Sequence, residues 1–302
     1  MGNEELRDTV TSLTRYLPSS IDQKWQEIWD HFSQKQLTRV FATAREVLFD
    51  DRSRLVFFSD SHRGDRSAAD SFARNARLFL DVLQHYYQQG FSYIEVGDGD
   101  ELWKNRRFRV VRQAYGAIFD LLHRFDDQGR LHMLLGNHDI GGFRQHSIKK
   151  DGLLAREGLV LKHARTGRRI FAVHGHQADF TNYRLYFLGR LIIRRIWRRL
   201  QLVGLYREHY AGSCEGIERR LREWAEEHRQ ILVCGHTHHP VSARRDEAPY
   251  FNTGSCLKPG EITGLELVGS ALQPIRWTAM PRAPHIQRTP VGAAQPLATL
   301  AN

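Results

Sequence analysis

The stretch Ile231-Leu232-Val233-Cys234-Gly235-His236-Thr237-His238 decides how this chain is read: four apolar residues run straight into a glycine and two imidazoles spaced two residues apart. A short apolar run closed by turn residues reads as a buried strand. The same order, a strand and then ligand-type side chains, recurs four times upstream. Leu55-Val56-Phe57-Phe58 leads to Asp60-Ser61-His62, and Tyr93-Ile94-Glu95-Val96 leads to Gly97-Asp98-Gly99-Asp100-Glu101. Met133-Leu134-Leu135 leads to Gly136-Asn137-His138-Asp139, and Ile170-Phe171-Ala172-Val173 leads to His174-Gly175-His176. Five strands would thus deliver oxygen and imidazole groups at their C-terminal ends, enough for two metal ions. In open α/β sheets the crevice beyond those ends is where ligands bind, so clusters spread over about 180 residues can converge on one site.

Each cluster alone has an ordinary explanation. Asp-x-His arises by chance in many chains. Gly97-Asp98 suits a strand-ending turn, and with 16 histidines in the chain several must be solvated. Two imidazoles two residues apart on an extended segment, as in His236 and His238, can instead reach different metals. The succession of all five clusters, each after a strand, is what the ordinary explanations do not produce.

In this order the residues resemble the calcineurin-like metallophosphoesterase superfamily, whose signature runs D-x-H, G-D-x-x-[DE], G-N-H-[DE], H and G-H-x-H. The likeness extends from Leu55 to Ile275. It implies a four-layer α/β/β/α sandwich with a helical lid insertion. It also implies that Asp98 bridges two metals, with Asp60, His62 and His238 completing the first and Asn137, His174 and His236 the second. His138 matches a non-ligand histidine that contacts the scissile phosphate, and Asp139 is expected to orient it. The chemistry explains the residue types: two divalent ions about 3.5–4 Å apart clamp the oxygens of a phosphoester and lower the pKa of a water between them. Carboxylate, amide and imidazole without thiolate suit Mn²⁺, Fe or Zn²⁺, and Mn²⁺ is the expectation here. A protonated His138 can serve the leaving oxygen as a general acid.

Within the superfamily the chain is similar to the UDP-2,3-diacylglucosamine pyrophosphohydrolase branch, which cleaves a pyrophosphate in lipid A precursor synthesis beneath a helical lid. The likeness rests on Gly97-Asp98 with Glu101-Leu102-Trp103, on His174-Gly175-His176 followed by Asp179, on Gly235-His236-Thr237-His238-His239-Pro240, and on Tyr250-Phe251-Asn252-Thr253-Gly254-Ser255. Two positions depart from that branch. His138 stands where it commonly carries Arg, and Gly99-Asp100 replaces an apolar or aromatic pair. The Asp-Arg-Gly continuation of the protein serine/threonine phosphatases is absent after the second motif, which disfavours that branch.

At 302 residues with 41% hydrophobic content, the chain can bury one α/β core plus an insertion. Its three cysteines have no paired short spacing, which argues against a disulfide framework or a structural zinc site and for a reducing compartment. The polar start Met1-Gly2-Asn3-Glu4-Glu5 has no apolar signal core, and no apolar stretch is long enough to span a bilayer. The expectation is a cytoplasmic protein, with peripheral contact at the inner membrane surface.

Residues 1–50 read as an N-terminal helical extension, with Trp25, Ile28, Trp29 and Phe32 at helical spacing. Residues 51–278 read as the metallophosphoesterase domain, interrupted by a helical insertion over 177–229. Residues 279–302, rich in Pro and Ala, are expected to form a flexible tail. Inside the insertion, Leu185, Leu188, Ile192, Ile196 and Leu200 form an apolar stripe opposite Arg190, Arg194, Arg195, Arg198 and Arg199. A basic amphipathic helix of this kind, within 185–205, either packs on the core, covers an amphiphilic substrate or lies on an anionic membrane surface. The formal net charge of +10 favours anionic partners, an anionic phosphoester substrate among them.

Three functions fit these observations. The first is a dinuclear phosphoesterase acting on a phosphoester or pyrophosphate bond of a lipid- or nucleotide-linked molecule. A metal-dependent nuclease ranks lower, because Arg concentrates on one helix without an aromatic stacking platform. A non-catalytic scaffold on the same fold ranks below both, because His138 and the ligand set are complete.

Overall fold

In the computed structural model, residues 19–140, 146–179, 214–243, 246–280 and 286–300 are described. Helix α1 (Ser19–Thr43) leads into β1 (Arg45–Phe49) and β2 (Arg54–Phe58). Then follow α2 (Ala76–Gln88), β3 (Ser92–Glu95), α3 (Phe108–Ala114), α4 (Gly116–Asp127) and β4 (Leu131–Leu134). Strands β5 (Ser147–Lys150), β6 (Leu153–Arg156), β7 (Gly158–His163) and β8 (Arg169–Val173) precede α5 (Glu215–Glu227) and β9 (Ile231–Cys234). The remainder is β10 (Tyr250–Asn252), β11 (Glu261–Val268), β12 (Ala271–Ala279), β13 (Ile286–Pro290), β14 (Gln295–Pro296) and α6 (Leu297–Leu300).

Side-chain alternation along the strands sorts the core into layers. In β2, Val56 and Phe58 pack against α2 and α4 through Phe79, Leu83 and Phe119, while Leu55 and Phe57 face the other way. There they meet Ile170 and Ala172 of β8 and Ile231 and Val233 of β9. The opposite faces of the same two strands, Phe171, Val173, Leu232 and Cys234, pack on Leu37 and Val40 of α1 and on Leu221 and Trp224 of α5. The result is helices, sheet, sheet, helices, the expected α/β/β/α sandwich.

One sheet runs β13-β12-β11-β2-β3-β4-β6-β5, with β14 paired to β12; the other runs β1-β7-β8-β9-β10. Strands β2, β3 and β4 are mutually parallel, as are β8 and β9. Parallel neighbours end at one edge, so the ligand clusters that follow them emerge together.

The domain ends differ from expectation. Arg45–Phe49 continues no helix; it pairs in parallel with β7, Arg45 opposite Leu159. A five-residue strand next to a long helix leaves too little period-two pattern to read from sequence. Within the segment expected as a flexible tail, the described residues 286–300 are built into the fold: β13 pairs antiparallel with β12, Arg288 bonds Glu266 at 2.7 Å, and Leu297 and Leu300 are buried. Pro290 and Pro296 sit in the edge strands β13 and β14, where a missing N–H costs no ladder bond. Of the segment expected as the insertion, α5 belongs to the core layer, with Trp224 fully buried and its Nε1 donating to Thr38 Oγ1 at 3.0 Å. The basic stripe of 185–205 lies outside the described residues. Among the described residues no helix is long and apolar enough to cross a membrane.

Candidate metal centre

Asp60 and His62 follow β2, Asp98 follows β3 and Asn137 follows β4; His174 follows β8, and His236 and His238 follow β9. Backbone bonds knit the loops before any side chain acts: Asp60 N donates to Gly97 O at 3.1 Å, His62 N to Asp98 O at 2.9 Å and Gly235 N to His174 O at 3.0 Å. Asp60, His62, Asp98, His236 and His238 all hold positive φ, between 47° and 70°. Such a conformation costs a non-glycine residue about 1–3 kcal/mol and persists where the surroundings impose it, typically at functional sites. Gly97, at φ +84°, supplies a related need: a Cβ there would fall 2.6 Å from the His174 ring.

The side chains meet around Asp98. Its Oδ2 lies 3.2 Å from His174 Nε2 and 3.6 Å from His62 Nε2, while its Oδ1 accepts from His138 N at 2.7 Å. Asp60 Oδ1 lies 3.1 Å from His238 Nε2 and 3.7 Å from His62 Nε2, and Asp60 Oδ2 accepts from His236 N at 3.0 Å. Asp60, His62 and His238 form one group with ligand atoms within 4.8 Å of one another, and Asp98, His174 and His236 form a second. His62, Asp98 and His138 form a third such group between them.

Whether this set fits a cation is tested by its unmet polar atoms. Asp60 Oδ1, His62 Nε2, Asn137 Oδ1 and His174 Nε2 are all buried without a hydrogen-bond partner among the described residues. Buried polar atoms are ordinarily paired, and an orphan costs about 1–3 kcal/mol. Here four orphans share one site, and each can present a lone pair. His174 Nδ1 contacts Val96 O at 2.8 Å; donating there leaves Nε2 as the ligand atom. His236 Nε2 is likewise 3.2 Å from Asp179 Oδ2. The residues fit divalent ions.

The electrostatics agree. Burial opposes charge on Asp98, yet His174, His138 and His62 hold its carboxyl far below the usual carboxylate range. Asp60 is depressed in the same way, by His238 and His174. Burial alone would drive His174 neutral, but Asp98 and Asp60 push its pKa up to about 9. In the absence of a cation, imidazolium protons offset the carboxylates. A bound metal would displace them.

The carboxylate beside His138 is not the expected one. His138 Nδ1 lies 3.0 Å from Glu101 Oε1, and its ring stacks on Trp103 at 4.2 Å with an 18° tilt. Glu101 is held well below the carboxylate range, against its burial, by His138, His62 and Lys104. It therefore accepts, and Nδ1 donates. Asp139 turns away: Oδ1 accepts from Asp100 N at 2.9 Å and Oδ2 from Gly136 N at 2.9 Å, tying the second ligand loop to the third. The expectation that Asp139 orients His138 is corrected. Adjacency in the chain does not decide which carboxylate reaches the ring; the path of the second loop does.

Beneath the loops lies a charged layer that the sequence reading missed. Arg63, fully buried, pairs with Glu95 at 2.6 Å and Asp100 at 2.8 Å, and Lys150 Nζ bonds Asp100 at 2.6 Å and Asp139 at 2.7 Å. Asp100 is thus the shared counter-charge of two buried cations, which accounts for a carboxylate where the resembling branch has an apolar residue. Asp179 and Asn252 were also missed as supports. Asn252 Nδ2 donates to Gly235 O at 2.6 Å and to Thr237 Oγ1 at 3.0 Å, fixing the His236–His238 loop.

A family model for calcineurin-like phosphoesterases matches residues 53–240, and the chain belongs to that family. The family binds divalent metals, in keeping with the groups just described. Among curated proteins the chain is similar to UDP-2,3-diacylglucosamine hydrolase of Porphyromonas gingivalis, at 23% identity over 184 residues, 60% of this chain and 68% of that protein. Among solved structures, a Vps29 single mutant from Entamoeba histolytica aligns with 79% of this chain and 99% of its own at 17% identity and a TM-score of 0.39. The cold-active protein-tyrosine phosphatase of a psychrophilic Shewanella aligns with 78% of this chain and 80% of its own at 15% identity and a TM-score of 0.39.

Proposed function

We propose that the protein is a dinuclear metal-dependent phosphoesterase that hydrolyses a phosphoester or pyrophosphate bond of a nucleotide-linked, acylated molecule. The observation that carries the reading is the set of four buried, unpartnered ligand atoms gathered at Asp60, His62, Asn137 and His174 around Asp98. Asp60, His62 and His238 would hold one ion, Asn137, His174 and His236 the other, with Asp98 between them. When bound there, such ions would supply charge neutralisation to phosphate oxygens and a water of lowered pKa; Mn²⁺ is the proposed native metal.

The chain's own residues position and protonate. Glu101 fixes the His138 tautomer by accepting from Nδ1, which leaves Nε2 for the substrate, and Trp103 fixes the ring plane. In that pose a protonated His138 hands a proton to the leaving oxygen, a role worth about 10²–10⁴-fold in rate. Asp98 Oδ1 holds the backbone of the same residue, so the proton donor and the proposed bridging carboxylate move as one.

The substrate class is supported by the name of the Porphyromonas relative, whose substrate is both nucleotide-linked and acylated, and by the net charge of +10. The arginine-rich stripe within 185–205 is proposed to meet the acyl chains or an anionic membrane surface, with the protein acting at the cytoplasmic face.

The Mn²⁺-loaded protein is assayed against a UDP-linked diacyl sugar, a phosphomonoester, a phosphodiester and single-stranded DNA. Release of UMP from the acylated substrate at about tenfold or more above the small esters is expected. Preferential cleavage of DNA would make the protein a nuclease. No turnover of any substrate with Mn²⁺, Fe²⁺ or Zn²⁺ would leave a scaffold.

A further inference from the structure

Away from the ligand clusters, a cleft of about 490 Å³ opens where the edges of the two sheets meet beneath α1. It is lined by Arg39 from the end of α1, Arg45 at the start of β1, His146 and Ser147 entering β5, and Arg156 and Glu157 between β6 and β7. The only carboxylate among these residues is already engaged on both oxygens. Glu157 Oε1 takes Arg39 at 2.5 Å, and Oε2 is 2.8 Å from His146 Nδ1. Arg45 and Arg156 have no carboxylate partner among the described residues.

Two guanidiniums beside one cleft, with no free carboxylate among its lining residues, set up a positive field that favours an anion there. Their field is felt inside the protein. Partial burial together with Arg45 lowers the pKa of the Arg156 guanidinium. His132 on β4 is brought down to about 4 by burial and then by Arg45 and Arg156, with only Asp126 opposing. The cleft lies within the size range of small-molecule sites and is larger than a bare phosphate needs. Guanidinium forks match phosphate oxygens in a bidentate fashion.

We propose that this cleft is an anion site that takes the phosphate group of a small phosphorylated molecule between Arg45 and Arg156. The site also has a route to the ligand loops: Arg156 O accepts from Leu135 N at 2.8 Å, and Leu135 lies two residues before Asn137. The assignment stands independently of the phosphoesterase reading.

The test uses the full chain stripped of divalent metal by chelation, so that phosphate capture through metal ions at the strand ends is removed. Inorganic pyrophosphate binding is measured by calorimetry for the parent, for Arg45→Gln/Arg156→Gln, and for a control of equal charge change, Arg52→Gln/Arg229→Gln. In the parent, pyrophosphate should bind and raise the lowered His132 pKa, as followed by NMR titration. The Arg45/Arg156 double variant should bind at least about tenfold more weakly, while the control stays within about twofold. Its urea midpoint should be unchanged or higher, because two like charges have been removed; a purely structural pair would lower it. Absence of binding in the metal-free parent would overturn the proposal. So would undiminished binding in the double variant, or an equal loss in the control.

Discussion

Lys150→Met tests whether the charged layer under the ligand loops holds them in place. The substitution keeps the length of the side chain and removes its charge, leaving Asp100 and Asp139, both fully buried, without the ammonium that bonds them at 2.6 and 2.7 Å. Breaking one side of a buried ion pair typically costs about 3–5 kcal/mol. A ceiling follows from Asp139, which can escape by taking up a proton. Holding a carboxyl neutral at pH 7.5, when its ordinary pKa is near 4, costs at most about 5 kcal/mol. The direction with pH is then fixed. Burial already raises the Asp139 pKa, against Lys150, and Asp100 and Asp98 raise it further. Loss of Lys150 raises it more. A carboxyl whose folded pKa lies above its unfolded one favours the fold fully below the unfolded value and loses that advantage as pH rises through the folded one. The variant should therefore be about 3–4 kcal/mol less stable than the parent in urea unfolding at pH 7.5, and the gap should narrow at pH 5. Metal affinity should fall as well, because Asp139 no longer anchors Gly136 N and Asp100 N. A deficit under about 1 kcal/mol at pH 7.5, or one that does not change with pH, would refute the reasoning.

Asp98→Ala should lose metal content and turnover together, as measured by elemental analysis and hydrolysis on one preparation; a variant that kept two tightly bound ions would show that the bridge lies elsewhere. His138→Ala should lower kcat by about 10²–10⁴ while metal content holds, and Glu101→Gln should give part of that loss with a shifted acidic limb of the pH–rate profile. Asp139→Asn should leave that limb in place, since its carboxyl does not touch the ring. The parent should lose about 3 kcal/mol of stability between pH 7.5 and pH 4 through His132. The unfolded imidazole takes up a proton near pH 6.5 while the folded one, lowered to about 4, does not, and His132→Gln should flatten that part of the urea-unfolding profile.

That Asp60, His62, Asp98, His174, His236 and His238 come together was legible because each cluster follows a short apolar run bounded by turn residues, the pattern of a buried strand. Parallel strands put their ends at one edge, so ligand order alone was enough to expect convergence. What escaped the sequence depends on where a side chain points after a loop has turned. Glu101 reaches His138 from 37 residues away, whereas Asp139, its neighbour in the chain, reaches two backbone N–H groups and Lys150 instead. Lys150 carries no motif, and its place beneath Asp100 follows from the antiparallel pairing of β5 with β6. The C-terminal segment was misread because composition reports polarity and proline content, while an edge strand is defined by its pairing with β12.

The strand neighbours also set a timetable for synthesis. Phe57, just upstream of Asp60 and His62, pairs with Leu265, and Arg45 pairs with Leu159. At about 5–20 residues per second, β1 waits on the order of ten seconds for its partner, and β2 waits longer still for β11. During that interval Leu55, Phe57 and the first two ligands are on a nascent chain whose sheet is missing an edge. The centre can then be completed only after β11 has emerged to close the sheet. A ribosome stalled before Leu265 should hold a chain that is protease-sensitive around β2 and captures chaperones. One stalled far enough beyond Val268 for β11 to clear the exit tunnel should not.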